Sequence, residues 1–158
     1  MIELHISGYS PLTLKHLVLD YNGTIALDGK MIDGVKGRLL ELSKNFSITV
    51  LTADTHGTAK EELKDIPCEI IVLPFGENHI DAKRTWVAKI GADEVVAIGN
   101  GRNDFRMLSI SAIGICVIGE EGASFQSIHN ADVICPSILS ALDLLLNPRR
   151  LIATMRSS

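Results

Sequence analysis

The chain has 158 residues, a length typical of one domain, and 46% of them are hydrophobic against 22% charged. This composition indicates a globular protein with its own core and excludes a disordered chain. The net charge of -4 comes without a basic stripe, which excludes the electrostatic pattern of a nucleic-acid-binding protein. No leader pattern opens the sequence, and no window approaches the roughly 20 apolar residues of a membrane span. We therefore expect one cytoplasmic domain over residues 1–158, without membrane or nucleic-acid partners.

Short apolar runs alternate with helical patterns along most of the chain. Strands are predicted at 14–20, 47–52, 69–73, 94–98, 113–118 and 133–135. Helices are predicted at 34–45, 55–64 and 78–90, from 103, near 124, and at 137–146. Continuous apolar strands separated by helices indicate an α/β fold, in which a parallel sheet is covered by helices on both faces.

Three segments lie outside this alternation. Residues 25–32 carry Asp28-Gly29 between apolar flanks, which predicts a hairpin with a two-residue turn. The alternating residues 2–6 predict an antiparallel strand at the edge of the sheet. The tail after Pro148 fits either a terminal helix or a frayed end, and the sequence does not choose between them.

Polar residues directly follow three of the predicted strands. The first strand ends in DYNGT (20–24), the second in TAD (52–54) and the fourth in GNGRND (99–104). Ligands of an open parallel sheet collect beyond the carboxyl ends of its strands. We therefore expect these three segments to converge at one edge, together with Lys83 from the helix that precedes the fourth strand.

These residue types are suited to phosphoryl transfer. Asp20 is a carboxylate able to act as a metal ligand or as a nucleophile towards phosphorus. Thr52 offers a hydroxyl, and the amides that follow it are predicted to open a helix that would hold an anion. Lys83 adds a positive charge. Oxygen ligands of the kind that Mg²⁺ prefers are available from Asn100, Asn103 and Asp104. Together they predict a nucleophile, an anion cradle, a cation and a metal site.

The four motifs in this order resemble those of the haloacid dehalogenase superfamily of phosphohydrolases. The resemblance covers about residues 14–146 and implies a Rossmann-like, doubly wound parallel sheet with a hairpin flap after the first motif, where residues 25–32 lie. Within the superfamily, DYNGT and GNGRND are most similar to the phosphorylation domain of P-type ATPases. The chain is thus identified as a soluble, P-type-ATPase-like phosphatase, a Mg²⁺-dependent enzyme with a phosphorylated substrate.

The resemblance also implies roles for individual residues. An aspartyl-phosphate would form on Asp20, and the implied catalytic residues are Asp20, Asn22, Thr52 and Lys83. Phosphate contacts are implied for Gly23, Thr24, Thr52, Ala53, Lys83 and Asn103. The implied Mg²⁺ ligands are Asp20, the backbone carbonyl of Asn22, Asn100 and Asp104.

Two positions depart from the pattern of the superfamily. Asn22 stands where most of these phosphatases carry the aspartate that acts as general acid and base. Asn100 stands where most carry an aspartate that reaches Mg²⁺. We therefore expect weak metal binding and slow turnover. The alternative is a non-catalytic or regulatory phosphate-binding protein, or a phosphoacceptor, that keeps the fold.

The spacing of the motifs leaves no room for a cap domain. Residues 24–52 are taken up by the hairpin, one helix and one strand, and residues 52–83 by a helix, a strand and the start of a helix. We therefore expect an open site, which suits a macromolecular substrate, or a small substrate if neighbouring subunits of a homo-oligomer cover it.

Overall fold

The computed structural model describes all 158 residues and contains ten strands and seven helices. The strands are β1 (Ile2–Leu4), β2 (Leu12–Leu14), β3 (His16–Asp20), β4 (Ala26–Leu27), β5 (Lys30–Met31), β6 (Ser47–Thr52), β7 (Cys68–Val72), β8 (Val95–Gly99), β9 (Ile113–Val117) and β10 (Val133–Cys135). The helices are α1 (Val35–Leu42), α2 (Ala59–Glu62), α3 (His79–Ile90), α4 (Phe105–Ile110), α5 (Phe125–Asn130), α6 (Ile138–Leu146) and α7 (Pro148–Met155).

Six of the strands form one parallel sheet in the order β10-β9-β8-β3-β6-β7. The first of them in the chain, β3, lies between β8 and β6, with Leu19 opposite Ile98 and Asp20 opposite Leu51. The carboxyl ends of these three central strands therefore meet at one edge. The predicted doubly wound parallel sheet is confirmed.

The two faces of the sheet pack into separate cores. Successive residues of a strand point to opposite faces, so Leu17 and Leu19 of β3 enter one core and Val18 the other. The larger core includes side chains of α1 and α6, and the smaller one includes side chains of α3 and α4. Burial on both faces explains why the central strands are continuously apolar.

The predicted hairpin lies directly after the first core strand, where β4 pairs with β5 in antiparallel register. Asp28 and Gly29 have φ values of 51° and 83°, the left-handed conformation that a two-residue hairpin turn of this kind requires. The hydroxyl of Tyr21 and that of Thr58 both donate to the carbonyl of Gly29, so the turn is tied to the body of the fold. Between Thr24 and Thr52 the chain forms only this hairpin, α1 and β6, and no cap is present.

The helix predicted at 55–64 is shorter than expected. Asp54 and Gly57 adopt positive φ values of 49° and 68°, which no α-helix tolerates, and α2 covers only Ala59–Glu62. The side chain of Asp54 accepts a hydrogen bond from the amide of Ala59 and so stabilises the start of α2. The amides that follow Thr52 therefore belong to a loop, and the expectation of a helix N-terminus there was wrong.

The amino-terminal residues form a separate small sheet, and the carboxyl-terminal residues form a helix. β1 pairs antiparallel with β2 in a two-stranded sheet of its own, so the prediction of an edge strand on the main sheet was wrong. The strand predicted at 14–20 is interrupted at Lys15, so that Leu14 belongs to β2 and residues 16–20 form β3. The tail is helical over Pro148–Met155, and Leu151 is buried in the larger core. No helix combines the length and the apolar character needed to cross a membrane.

Candidate active site

A polar cleft of about 450 Å³ lies at the carboxyl ends of β3, β6 and β8. The predicted site residues that line it are Asp20, Asn22, Thr52, Ala53, Lys83, Asn100 and Asn103. Gly23 and Thr24 line a neighbouring cleft, and Asp104 is fully buried behind Lys83. The structure therefore brings the three strand-end segments and Lys83 together, as predicted.

The floor of the cleft is an ion-pair triad. The Nζ atom of Lys83 lies 2.8 Å from Oδ1 of Asp20 and 2.7 Å from Oδ1 of Asp104. Lys83 is only 1% exposed, and it shares the buried side of α3 with Val87. Asn78 caps this helix by accepting hydrogen bonds from the amides of Ile80 and Asp81, which fixes its first turn.

One ammonium group faces two carboxylates on this floor, so the triad carries one negative charge in excess. Burial alone would lower the pKa of Lys83, but the charges of Asp104 and Asp20 outweigh it and raise the pKa above its ordinary value. Burial and the charge of Asp20 raise the pKa of Asp104 to about 6, against the opposing effect of Lys83. The ammonium is therefore firmly charged, and the excess negative charge suits a site for a metal cation.

Asp104 is held from both sides. Its Oδ1 atom contacts Lys83, and its Oδ2 atom accepts hydrogen bonds from the amides of Asn100 and Gly101 at 3.1 and 3.0 Å. A Cβ atom at Gly99 would lie 2.5 Å from the carboxyl carbon of Asp104, so only glycine leaves space for this packing. These contacts suit a residue that positions Lys83 and the GNGRND loop. The role of Asp104 as a metal ligand stays a prediction.

The opposite side of Asp20 is held by the DYNGT segment. The hydroxyl of Thr24 donates to Oδ2 of Asp20 at 2.9 Å and lies 3.3 Å from Oδ1 of Asn100. A hydroxyl has one proton, so it satisfies only one of these two oxygens at a time. Asp20 and Asn100 thus present oxygens to the same small region, next to a glycine, Gly23, with a φ of 84°.

Two of the predicted residues form hydrogen bonds within the loops around the cleft. The hydroxyl of Thr52 is buried and accepts a hydrogen bond from the amide of Asp54 at 2.8 Å, within its own loop. The side-chain oxygen of Asn22 accepts from the amide of Gly29 at 3.1 Å and so ties the DYNGT segment to the hairpin. Asn103 lines the cleft from the turn before α4.

The cleft also contains four residues that were not predicted as site residues: Thr55, Gly101, Arg102 and Glu121. Arg102 lies inside the GNGRND segment, where its charge was visible in the sequence but was not assigned. Glu121 lies in the loop after β9, whose carboxyl end was not considered among the strand ends. A carboxylate soon after a strand that neighbours β8 was the signal available for it.

Comparison with known proteins identifies two sequence relatives, and no family model matches the chain. The chain is 51% identical to the uncharacterized protein MJ0073 of Methanocaldococcus jannaschii over 63 residues, which cover 40% of this chain and 68% of that protein. It is 54% identical to the uncharacterized protein MJ0072 of the same organism over 39 residues, which cover 25% of this chain and 89% of that protein.

Solved structures share the fold at low sequence identity. A 3-deoxy-D-manno-octulosonate 8-phosphate phosphatase from Moraxella catarrhalis, in complex with magnesium, phosphate and KDO, superposes with a TM-score of 0.65 at 19% identity, over 90% of this chain and 94% of that chain. The cobalt-bound form of the deoxy-D-mannose-octulosonate 8-phosphate phosphatase from Haemophilus influenzae has a TM-score of 0.70 at 13% identity, over 87% of this chain and 90% of that chain. The chain therefore belongs to the family of the two Methanocaldococcus proteins and has the fold of the haloacid dehalogenase superfamily.

Proposed function

We propose that the protein is a metal-dependent phosphohydrolase that transfers a phosphoryl group to Asp20 and then to water. The observation that carries this proposal is the buried Lys83 ammonium between Asp20 and Asp104 at the floor of an open polar cleft. Burying three charged groups is costly in free energy, so their presence at the carboxyl ends of the strands favours a functional site over a purely structural ion pair. The matching fold of known phosphatases supports the same conclusion.

In the first step, a carboxylate oxygen of Asp20 attacks phosphorus, and the bond between phosphorus and the leaving oxygen breaks. The leaving oxygen keeps the electron pair. Lys83 places a positive charge beside Asp20, where the equatorial oxygens of the phosphoryl group develop negative charge. The hydroxyl of Thr24 holds the other oxygen of Asp20 and fixes the orientation of the carboxylate.

In the second step, water attacks the phosphorus of the aspartyl-phosphate and releases inorganic phosphate, which restores Asp20. Both steps involve a proton: the leaving oxygen gains one, and the attacking water loses one. Asn22 lies two residues after the nucleophile, but a carboxamide is unable to transfer a proton at neutral pH. We therefore propose that leaving groups stable as anions, such as aryl or acyl phosphates, react faster than alkyl phosphates.

The residues present fit a divalent metal ion. Asp20 and Asn100 direct oxygens to one region beside Gly23, and the backbone carbonyl of Asn22 lies in the same loop. These are hard oxygen ligands, and Mg²⁺ needs only one or two carboxylates when substrate oxygens and water complete its shell. A bound ion would offset the negative charge of the phosphoryl oxygens. Mg²⁺ is the ion that we propose for this site.

The cleft favours a substrate with a strongly polar, charged group. Its lining contains two cationic side chains, Lys83 at the floor and Arg102 at the exposed rim, and Ala53 is its hydrophobic member. No cap closes it, so the body of the substrate extends into solvent or against another chain. A homo-oligomer that covers the cleft stays a prediction, which light scattering at working concentration tests.

Steady phosphate release tests the proposed function. With an aryl phosphate and Mg²⁺, we expect continuous release by the wild-type protein and none above background by Asp20→Asn. Asp93→Asn is the matched control, because Asp93 is exposed at the amino end of β8, away from the cleft. Chelation of the metal should abolish release in both the wild type and the control.

A phosphoacceptor without turnover is the second candidate. It is favoured by Asn22 and Asn100, which stand where most of these phosphatases carry an aspartate. It predicts one equivalent of phosphate bound covalently per chain and no release after that. Release that continues over many equivalents contradicts this second candidate, and release that stops at one equivalent contradicts a hydrolase.

A further inference from the structure

We propose that Glu121 is the second charged ligand of the metal ion. It takes over the role of the aspartate that most of these phosphatases carry at the position of Asn100. This inference rests on the proposed function and names a residue that no motif of the sequence assigns. Glu121 follows β9, two residues after Gly119, and lines the same cleft as Asp20 and Asn100.

The position of the Glu121 carboxylate is defined by its distance from Gly23. A Cβ atom built on Gly23 would lie 2.8 Å from Oε2 of Glu121, 2.8 Å from Nδ2 of Asn100 and 2.9 Å from Oδ1 of Asn100. The side chains of Asn100 and Glu121 therefore reach one point beside the DYNGT segment, and the absence of a side chain at Gly23 keeps that point open. The side-chain Nδ2 of Asn100 also donates to the carbonyl of Gly122 at 3.2 Å, which ties the Glu121 loop to the GNGRND loop.

The other carboxylates of the site are already engaged. Asp104 accepts from Lys83 through one oxygen and from two backbone amides through the other, and it is 0% exposed. Asp20 contacts Lys83 and Thr24. Glu121, in contrast, is exposed to the cleft and forms neither a hydrogen bond nor an ion pair. It is the carboxylate of the cleft that is available to bind a ligand.

A bare carboxylate is unfavourable in a cleft that receives phosphate, because the two negative charges repel each other. A divalent cation bound between the carboxylate and the phosphate attracts both groups and so overcomes their repulsion. Glutamate oxygens are suitable ligands for Mg²⁺ and Mn²⁺, and the number of charged ligands sets the affinity of such a site. With Glu121, the site offers two acids, Asp20 and Glu121, and the neutral oxygen of Asn100.

Mn²⁺ binding to the substrate-free protein tests the assignment, with the free ion measured by electron paramagnetic resonance. We expect Glu121→Gln to weaken binding at least about tenfold, since loss of a group that merely supports a ligand already costs that much. The matched control is Glu120→Gln, because Glu120 is the adjacent exposed acid and lines only the neighbouring cleft. It should bind Mn²⁺ as the wild type does. Thermal unfolding should show equal stability for all three proteins.

A charge exchange provides the second readout. Asn100→Asp in the Glu121→Gln background returns a carboxylate to the same point, and we expect it to restore Mn²⁺ affinity. Equal affinity of Glu121→Gln and Glu120→Gln overturns the assignment, and so does a wild-type protein that binds no Mn²⁺. Weakened Mn²⁺ binding in Glu121→Gln alongside no phosphate release by the wild type would count against the proposed function but leave Glu121 as a ligand. Phosphate release by the wild type together with unchanged Mn²⁺ binding in Glu121→Gln would overturn the assignment of Glu121 and leave the proposed function intact.

Discussion

The floor and the rim of the cleft differ in burial and in how their polar groups are satisfied. On the floor, Lys83 and Asp104 are at most 1% exposed, and each has ion-pair or hydrogen-bond partners within the protein. At the rim, Arg102 and Glu121 are exposed and contact no partner. The floor is thus organised before any ligand binds, whereas the charged groups of the rim are available to contact a ligand. Substitutions on the floor should affect stability and activity together, and substitutions at the rim should affect binding alone.

The largest effect is expected for Lys83→Met. The variant leaves Asp20 and Asp104 without their shared cation, and removing one partner of a buried ion pair costs about 3–5 kcal/mol. Urea unfolding measures this free energy. Lys60→Met, at an exposed position of α2, should change it by less than about 0.5 kcal/mol. Equal stability of the two variants would show that the floor is not held by the triad.

The next largest effect concerns proton transfer by Asn22→Asp. An aspartate there keeps the hydrogen bond to the amide of Gly29 and adds a group that transfers protons. We expect turnover of alkyl phosphates to rise about 10²-fold relative to aryl phosphates, the lower end of the usual contribution of general acid–base catalysis.

Asn103→Asp is the control for Asn22→Asp, since it adds the same charge to the cleft from the GNGRND loop and not from the DYNGT segment. It should leave the ratio of alkyl to aryl turnover unchanged. Equal wild-type rates on alkyl and aryl phosphates would contradict the prediction, because another residue would then supply the proton.

Gly23→Ala tests the boundary between floor and rim. Gly23 has a φ of 84°, and an L-residue in the left-handed region costs about 1–2 kcal/mol, so unfolding should become easier by at least this amount. The new Cβ atom would also displace Asn100 and Glu121. Gly37→Ala has the opposite expectation: Gly37 lies in α1 with open space around it, and alanine there should stabilise the helix by about 0.5–1 kcal/mol. Chemical denaturation that gives both variants the same sign would contradict this contrast.

The smallest effect is expected for Arg102→Ala at the rim. An exposed charge contact contributes about 0.2–1 kcal/mol, so KM should rise about 1.4- to fivefold with kcat nearly unchanged. The free energy of unfolding should stay within about 0.5 kcal/mol of the wild type. A loss of stability comparable to that of Lys83→Met would remove the distinction between rim and floor. Steady-state kinetics and urea unfolding on the same preparation provide both measurements.

Much of the fold is predictable from local sequence. The runs 47–52 and 133–135 are strands at the predicted bounds, and Asp28-Gly29 forms the predicted turn. The backbone preferences of β-branched residues and of turn residues are local, so they are readable from the sequence. The helix after Thr52 was mispredicted because left-handed residues at Asp54 and Gly57 replace its first turn. The edge strand was mispredicted because β1 finds its partner in β2, outside the main sheet. The one-domain organisation and the closer likeness to P-type ATPases stay predictions.

The sequence by itself determined the order of strands and helices and the polar residues that end β3, β6 and β8, since these follow from periodicity and from turn chemistry within a few residues. Only the tertiary structure decided which of these residues share partners. Lys83 and Asp20 are 63 positions apart, and the packing of α3 against the sheet brings their charges together. The same packing buries Asp104 with both oxygens engaged, and the pairing of β8 with β9 brings the loop of Glu121 to Asn100. Such contacts depend on how separate elements meet, and no local pattern encodes that.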